Sequence, residues 1–155
     1  MRGETTRQEM LFSYISLEAR VPKDQPLRKI KRCTAHVLVE LEDVLAGSYS
    51  EFGRPSIAPE VLVKSQLLMA LFSVPSDRAF CERLNWDLLF RWFLDLPIDA
   101  SGFDHSVFSK NRKRLLEQDV SQEFFERVVE LARKENLLSE SILRWMARKP
   151  NLGRP

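Results

Sequence analysis

The chain has 155 residues and 18.1 kDa, with 44% apolar and 30% charged residues, five glycines and eight prolines. These values fit one soluble globular domain, or one domain plus a tail, and exclude collagen-like and low-complexity architectures. The net charge of +2 conceals three basic blocks, each a local +4: residues 23–32, 105–116 and 141–155, which leave −10 on the remainder.

The elements read as helices in chain order, and no stretch alternates with period two. Residues 1–9 carry charge where a secretory signal needs its apolar stretch, and the longest apolar run, Leu67 to Phe72, is six residues. A membrane-spanning helix needs roughly twenty, so the expected location is cytoplasmic, without a membrane partner. Leu27, Ile30, Thr34, Val37, Leu38, Leu41 and Leu45 fall at helical spacing and predict one long helix ending near Gly47. Its basic residues Arg28, Lys29, Lys31 and Arg32 crowd the first two turns, the end that a helix dipole makes unfavourable for cations. That placement points to an external anion.

A loop around Gly53-Arg-Pro-Ser56 leads to a helix from Pro59 to about Phe72, apolar nearly all round and therefore central. Ser76 is a good cap for a short helix through Leu84. The segment Trp86 to Leu94 predicts a further helix stopped by Pro97, with Trp86, Phe90, Trp92 and Phe93 in the core. Asp104 or Ser106 caps a helix to about Glu117 that places Val107, Phe108 and Leu115 on one side. Its opposite side holds Ser106, Ser109, Lys110 and Lys113, flanked by Arg112 and Arg114, without an acid. Asp119-Val-Ser-Gln122 reads as a capping box for a last helix through about Asn136, with Phe124, Phe125, Val128, Val129, Leu131 and Ala132 inward. The expected fold is an all-α multi-helix bundle containing a helix-turn-helix-like segment.

Enzymatic signatures are lacking. There is no G-x-S-x-G elbow and no glycine-rich phosphate loop. Cys33 and His36 stand at i,i+3, but Cys81 and His105 lie too far apart in sequence for the close pairs of structural zinc, so no metal or cofactor is expected. The 105–117 helix carries the chemistry of a major-groove reader, although the same pattern also fits an ordinary amphipathic surface helix with a solvated basic face. Lysine and arginine neutralise phosphates there, while serine and arginine reach base edges. The candidate DNA-binding residues are therefore Ser106, Ser109, Lys110, Arg112, Lys113 and Arg114, with Arg28, Lys29, Lys31 and Arg32 as a second group.

An ordered series of segments then stands out: Leu11-Phe-Ser-Tyr-Ile-Ser-Leu-Glu18, Val21-Pro, Pro26-Leu-Arg, Tyr49-Ser, Gly53-Arg-Pro-Ser-Ile57 and Ala70-Leu-Phe-Ser-Val74. It continues through Leu89-Phe-Arg-Trp-Phe93, Asp104-His-Ser-Val-Phe-Ser-Lys-Asn-Arg112 and Leu137-Leu-Ser139. Over residues 1–140 the chain resembles the N-terminal, InsH-type domain of bacterial insertion-sequence transposases of the DDE class. It departs from the usual pattern at Pro75 to Phe80, where a more polar helix start is common. The resemblance implies a domain that binds double-stranded DNA at the terminal inverted repeats and precedes a catalytic domain. The implied chemistry needs three carboxylates holding two divalent metals. No aspartate follows Asp119 and no acid follows Glu140, so the expectation is a catalytically incomplete member, not an enzyme. The alternative is an interaction module that pairs with itself or an intact transposase and inhibits it.

Residues 141–155 read as an aberrant basic tail, expected to contribute little stability. In place of the resemblance's continuation, Glu-His-Phe-Ser-Val-Asp-Gly-Thr, the chain runs from Ser141 through Trp145-Met-Ala147 to Pro155. Tryptophan and methionine have single codons, so Trp145-Met-Ala is written TGGATGGCN, which gives Asp-Gly when read from the third base. A one-base frameshift near codons 140–141 accounts for that coincidence.

Overall fold

The computed structural model describes residues 14, 16–47, 57–116, 120–135 and 137. Among them are eight helices and no strand. They are α1 (Leu17–Arg20), α2 (Pro26–Glu40), α3 (Glu42–Gly47), α4 (Pro59–Leu71), α5 (Asp77–Arg83), α6 (Leu88–Phe93), α7 (His105–Leu116) and α8 (Val120–Lys134). The all-α expectation holds. The capping residue Asp119, the loop around Gly53 and the tail 141–155 with its frameshift reading lie outside the described residues.

Local chemistry starts the helices where capping residues permit. Ser76 Oγ accepts from Ala79 N at 3.2 Å to open α5, and prolines occupy the first turns of α2 and α4. The helix expected from Trp86 instead begins at Leu88. Asp87 Oδ1 accepts from the N–H groups of Leu89 and Phe90 at 2.9 and 3.0 Å, which sets the boundary one residue beyond Trp86. Trp86 is left outside the helix and 69% exposed, against the core position expected for it. The long helix expected over residues 27–45 is also two. Leu41 takes φ −102° and ψ 8° between α2 and α3 without any glycine or proline to cause the break. The bend keeps both Leu41 and Leu45 fully buried, and Glu42 and Asp43 supply the acids that suit a new first turn.

Helix α4 is the axis of the core. Its residues Leu62 to Ala70 are all buried, including Lys64, Ser65 and Gln66. Around it, α2 packs on α8, α5 on α7 and α1 on α6, while α7 and α8 both touch α4. Phe103, Phe108, Phe80, Phe90 and Phe72 form a continuous run of ring contacts, with successive centroids 6.1, 5.3, 5.7 and 5.0 Å apart. This ladder ties α7 to α5, α6 and the end of α4, and such pairs add to simple area burial.

Two helices end on left-handed residues that are not glycine: Ser73 (φ 50°) after α4 and Asp95 (φ 59°) after α6. In both cases the next N–H returns to the third carbonyl from the helix end, Val74 N to Met69 O at 2.9 Å and Leu96 N to Arg91 O at 3.0 Å. Asp95 tolerates this conformation better than most residues, and its carboxylate has a second task. It pairs with Lys31 and, at 2.7 Å, with the buried Lys64. Burial pushes the Asp95 carboxyl up, but the hydrogen-bonded ammonium groups of Lys31 and Lys64 outweigh it and hold the group below its ordinary value.

A depressed folded value means that the stabilisation is fully present above the unfolded value, about pH 4, and is lost as pH falls through the lower folded one. Melting temperature should therefore decline below about pH 4, and Asp95→Asn should flatten that decline while keeping a residue that accepts positive φ. Thermal melts of both proteins between neutral and strongly acidic pH measure it. Equal acid slopes would show that Asp95 does not contribute.

Candidate nucleic-acid interface

Helix α7 is built as a platform with one side anchored and the other open. Its start is set by Asp104, whose Oδ1 accepts from the N–H groups of Ser106 and Val107 at 2.9 and 3.0 Å and from the Ser106 hydroxyl. The Ser106 hydroxyl, followed by the Val107 N–H, holds the Asp104 carboxyl below its ordinary range. Upstream, Gly102 N donates to Asn85 Oδ1 at 3.0 Å. A Cβ at Gly102 would stand 2.6 Å from that oxygen and 3.0 Å from the Cys81 carbonyl, so the approach to α7 runs tight against the end of α5.

Phe108, Asn111 and Leu115 are the buried side of α7. Phe108 is stacked between Phe80 and Phe103. Asn111 satisfies its amide locally by donating to the Val107 carbonyl at 2.8 Å. Arg112 turns inward, with its Nε 3.3 Å from Asp77 Oδ1 at the start of α5. Val107, expected with the core side, is 47% exposed and lies outside the hydrophobic cluster. Helix α7 packs on α5, α8 and α4, and residues 94–104 separate it from α6, a longer connection than the three- or four-residue turn of the tight motif.

On the open side Ser106, Ser109, Lys110, Lys113 and Arg114 are all exposed. Among the described residues no carboxylate pairs with Lys110, Lys113 or Arg114. Of the six residues expected on this helix, five share the solvent side and Arg112 is engaged with Asp77.

The basic start of α2 divides differently. Arg28 pairs with Glu18 and donates to the backbone carbonyls of Glu18, Val21 and Pro22. Lys31 donates to the Trp92 carbonyl and pairs with Asp95. Both cations also lie over the Trp92 ring, at 5.1 and 4.5 Å from its centroid. The Trp92 indole in turn donates to Glu18 Oε2 at 2.6 Å. The Arg28 hydrogen bond first, then that of Trp92, hold the Glu18 carboxyl below its usual range. Arg28 and Lys31 thus fasten α1 and α6 to α2. Lys29 and Arg32 remain exposed, with no carboxylate partner among the described residues.

Cys33 and Cys81 are buried and free. Burial first, then the charges of Asp77, Asp104 and Glu82, push the Cys81 thiol up to about 11, which disfavours a thiolate. His36 Nε2 lies 3.3 Å from Glu40 Oε1. Among the described residues no group of three or more His, Cys, Asp or Glu side chains is arranged to hold a metal ion. No helix among them is long and apolar enough to cross a membrane.

A family model described as "Transposase domain (DUF772)" matches residues 15–114, which includes α7 as far as Arg114. No curated protein and no solved structure matches the chain. The chain belongs to the transposase-domain family.

Proposed function

We propose that this member of the transposase-domain family recognises the terminal inverted repeats of an insertion sequence as duplex DNA, with α7 as the contacting element. One observation carries the reading: an exposed face whose three cations have no carboxylate partner among the described residues, set on a helix whose other side is locked into the core. Unpaired surface cations bring condensed counterions off the phosphates when they bind, and that release favours association. Exposed serine and arginine beside them supply hydrogen-bonding groups for base edges.

The reading assigns recognition, not phosphodiester chemistry, to residues 15–114. Lys110, Lys113 and Arg114 are its primary contacts, with Ser106 and Ser109 beside them. Lys29 and Arg32 are secondary candidates, because they share the exposure and lack of partners. Arg28, Lys31 and Arg112 support the fold that presents the others.

A nuclease footprint on duplexes carrying the ends of the protein's own element tests this. Protection of the terminal repeats, weakening steeply as salt rises, is the expected result. Equal protection of an unrelated duplex would leave general DNA affinity but remove end recognition.

A further inference from the structure

We propose that Val107 reads the 5-methyl group of thymine at the site that α7 recognises, a proposal that rests on α7 facing duplex DNA. Val107 sits in the first turn of α7 and is 47% exposed, although its neighbour Phe108 is completely buried. With Lys110 and Arg114 it falls at i, i+3 and i+7, so an apolar group and two unpaired cations share one flank of the helix.

The cap occupies part of the hydrogen-bonding capacity of the first turn. Asp104 already takes the N–H groups of Ser106 and Val107, and it takes the Ser106 hydroxyl hydrogen as well. Two backbone donors of that turn are thereby taken, and the Asp104 charge itself repels a phosphate. The cations stand further along the helix, at 110, 113 and 114. Phosphate attraction therefore acts on the later turns, while the first turn stands over base edges, as the start of a recognition helix does. Beside the exposed His105 and Ser106, the apolar group it presents there is the valine isopropyl. In the major groove the apolar feature of an unmodified base pair is the thymine methyl. Burying that methyl against Val107 removes both from water.

The test uses duplexes enriched by the wild-type protein from a random-sequence pool, each then resynthesised with uracil replacing thymine at one position at a time. Wild type should bind the thymine form roughly fourfold more tightly at one or two positions, the worth of one buried methyl group. Val107→Ala should lose that preference while keeping the salt dependence of wild type, and Val107→Thr, which retains a methyl, should preserve part of it. Circular dichroism confirms that each variant is folded. Equal affinity of wild type for every thymine and uracil pair, or a preference that survives in Val107→Ala, overturns the proposal with α7 still a DNA contact. Failure to enrich any duplex would instead remove the DNA-facing reading, and this inference with it.

Discussion

Replacing Lys110 and Lys113 together by glutamate should weaken duplex binding by at least roughly sixtyfold at about 0.1 M salt. Each phosphate contact contributes about 0.9 to the slope of log affinity against log salt, so two lost contacts cost about 1.8 decades at that concentration. Reversal adds repulsion between the new carboxylates and the phosphates. The slope itself should flatten by about two, which distinguishes lost ionic contacts from a general loss of active protein. Both side chains are exposed and without a carboxylate partner among the described residues, so the helical circular-dichroism signal should stay intact. Arg28→Ala makes the complementary control, since Arg28 holds Glu18 and three backbone carbonyls. It should lower the melting temperature and leave the salt slope alone. If the double reversal binds as wild type does, the contact moves to Lys29 and Arg32.

The apolar pattern made most of the bundle legible. Residues 62–70 have almost no polar face in sequence, and they are buried throughout, with α7 and α8 packed against their helix. Asp104 and Ser76 cap the helices expected of them because a short polar side chain before an apolar run has a local task that needs no knowledge of the fold. The errors arose where a boundary or a distant partner decides. Trp86 reads as core because it precedes a dense apolar stretch, yet the Asp87 cap cuts it off from the helix. Val107 differs from Phe108 by one position, and a rotation of about 100° per residue takes it from the core side to the flank.

Charge density alone does not show which cations are paired within the fold. Arg28, Lys31 and Arg112 sit in basic blocks as dense as those of Lys110 and Lys113. Their partners Glu18, Asp95 and Asp77 all lie outside the helix that carries the cation and become adjacent only after folding. A cation count cannot separate a charge held inside the fold from one offered to a ligand. Pairing in three dimensions can.

Phe108→Ala should cost about 3–5 kcal/mol, the range for truncating a fully buried aromatic ring, while Val107→Ala beside it should stay within about 0.5 kcal/mol. Phe108 is completely buried and occupies the middle of the ring ladder, with Phe80 at 5.3 Å and Phe103 at 6.1 Å. Removing it leaves a cavity and also breaks the contact that seats α7 on α5. Against a typical net stability of about 5–15 kcal/mol, that is a large fraction of the total. The melting temperature should fall on the order of ten degrees. Val107 fills no core space, and alanine is the better helix former, so lost partial burial and gained propensity nearly cancel. The contrast between neighbouring residues tests the rotation of α7 about its own axis. Similar melting temperatures for the two variants would mean that the helix is not turned with Phe108 inward, and the face carrying Lys110 and Lys113 would then have to be reassigned.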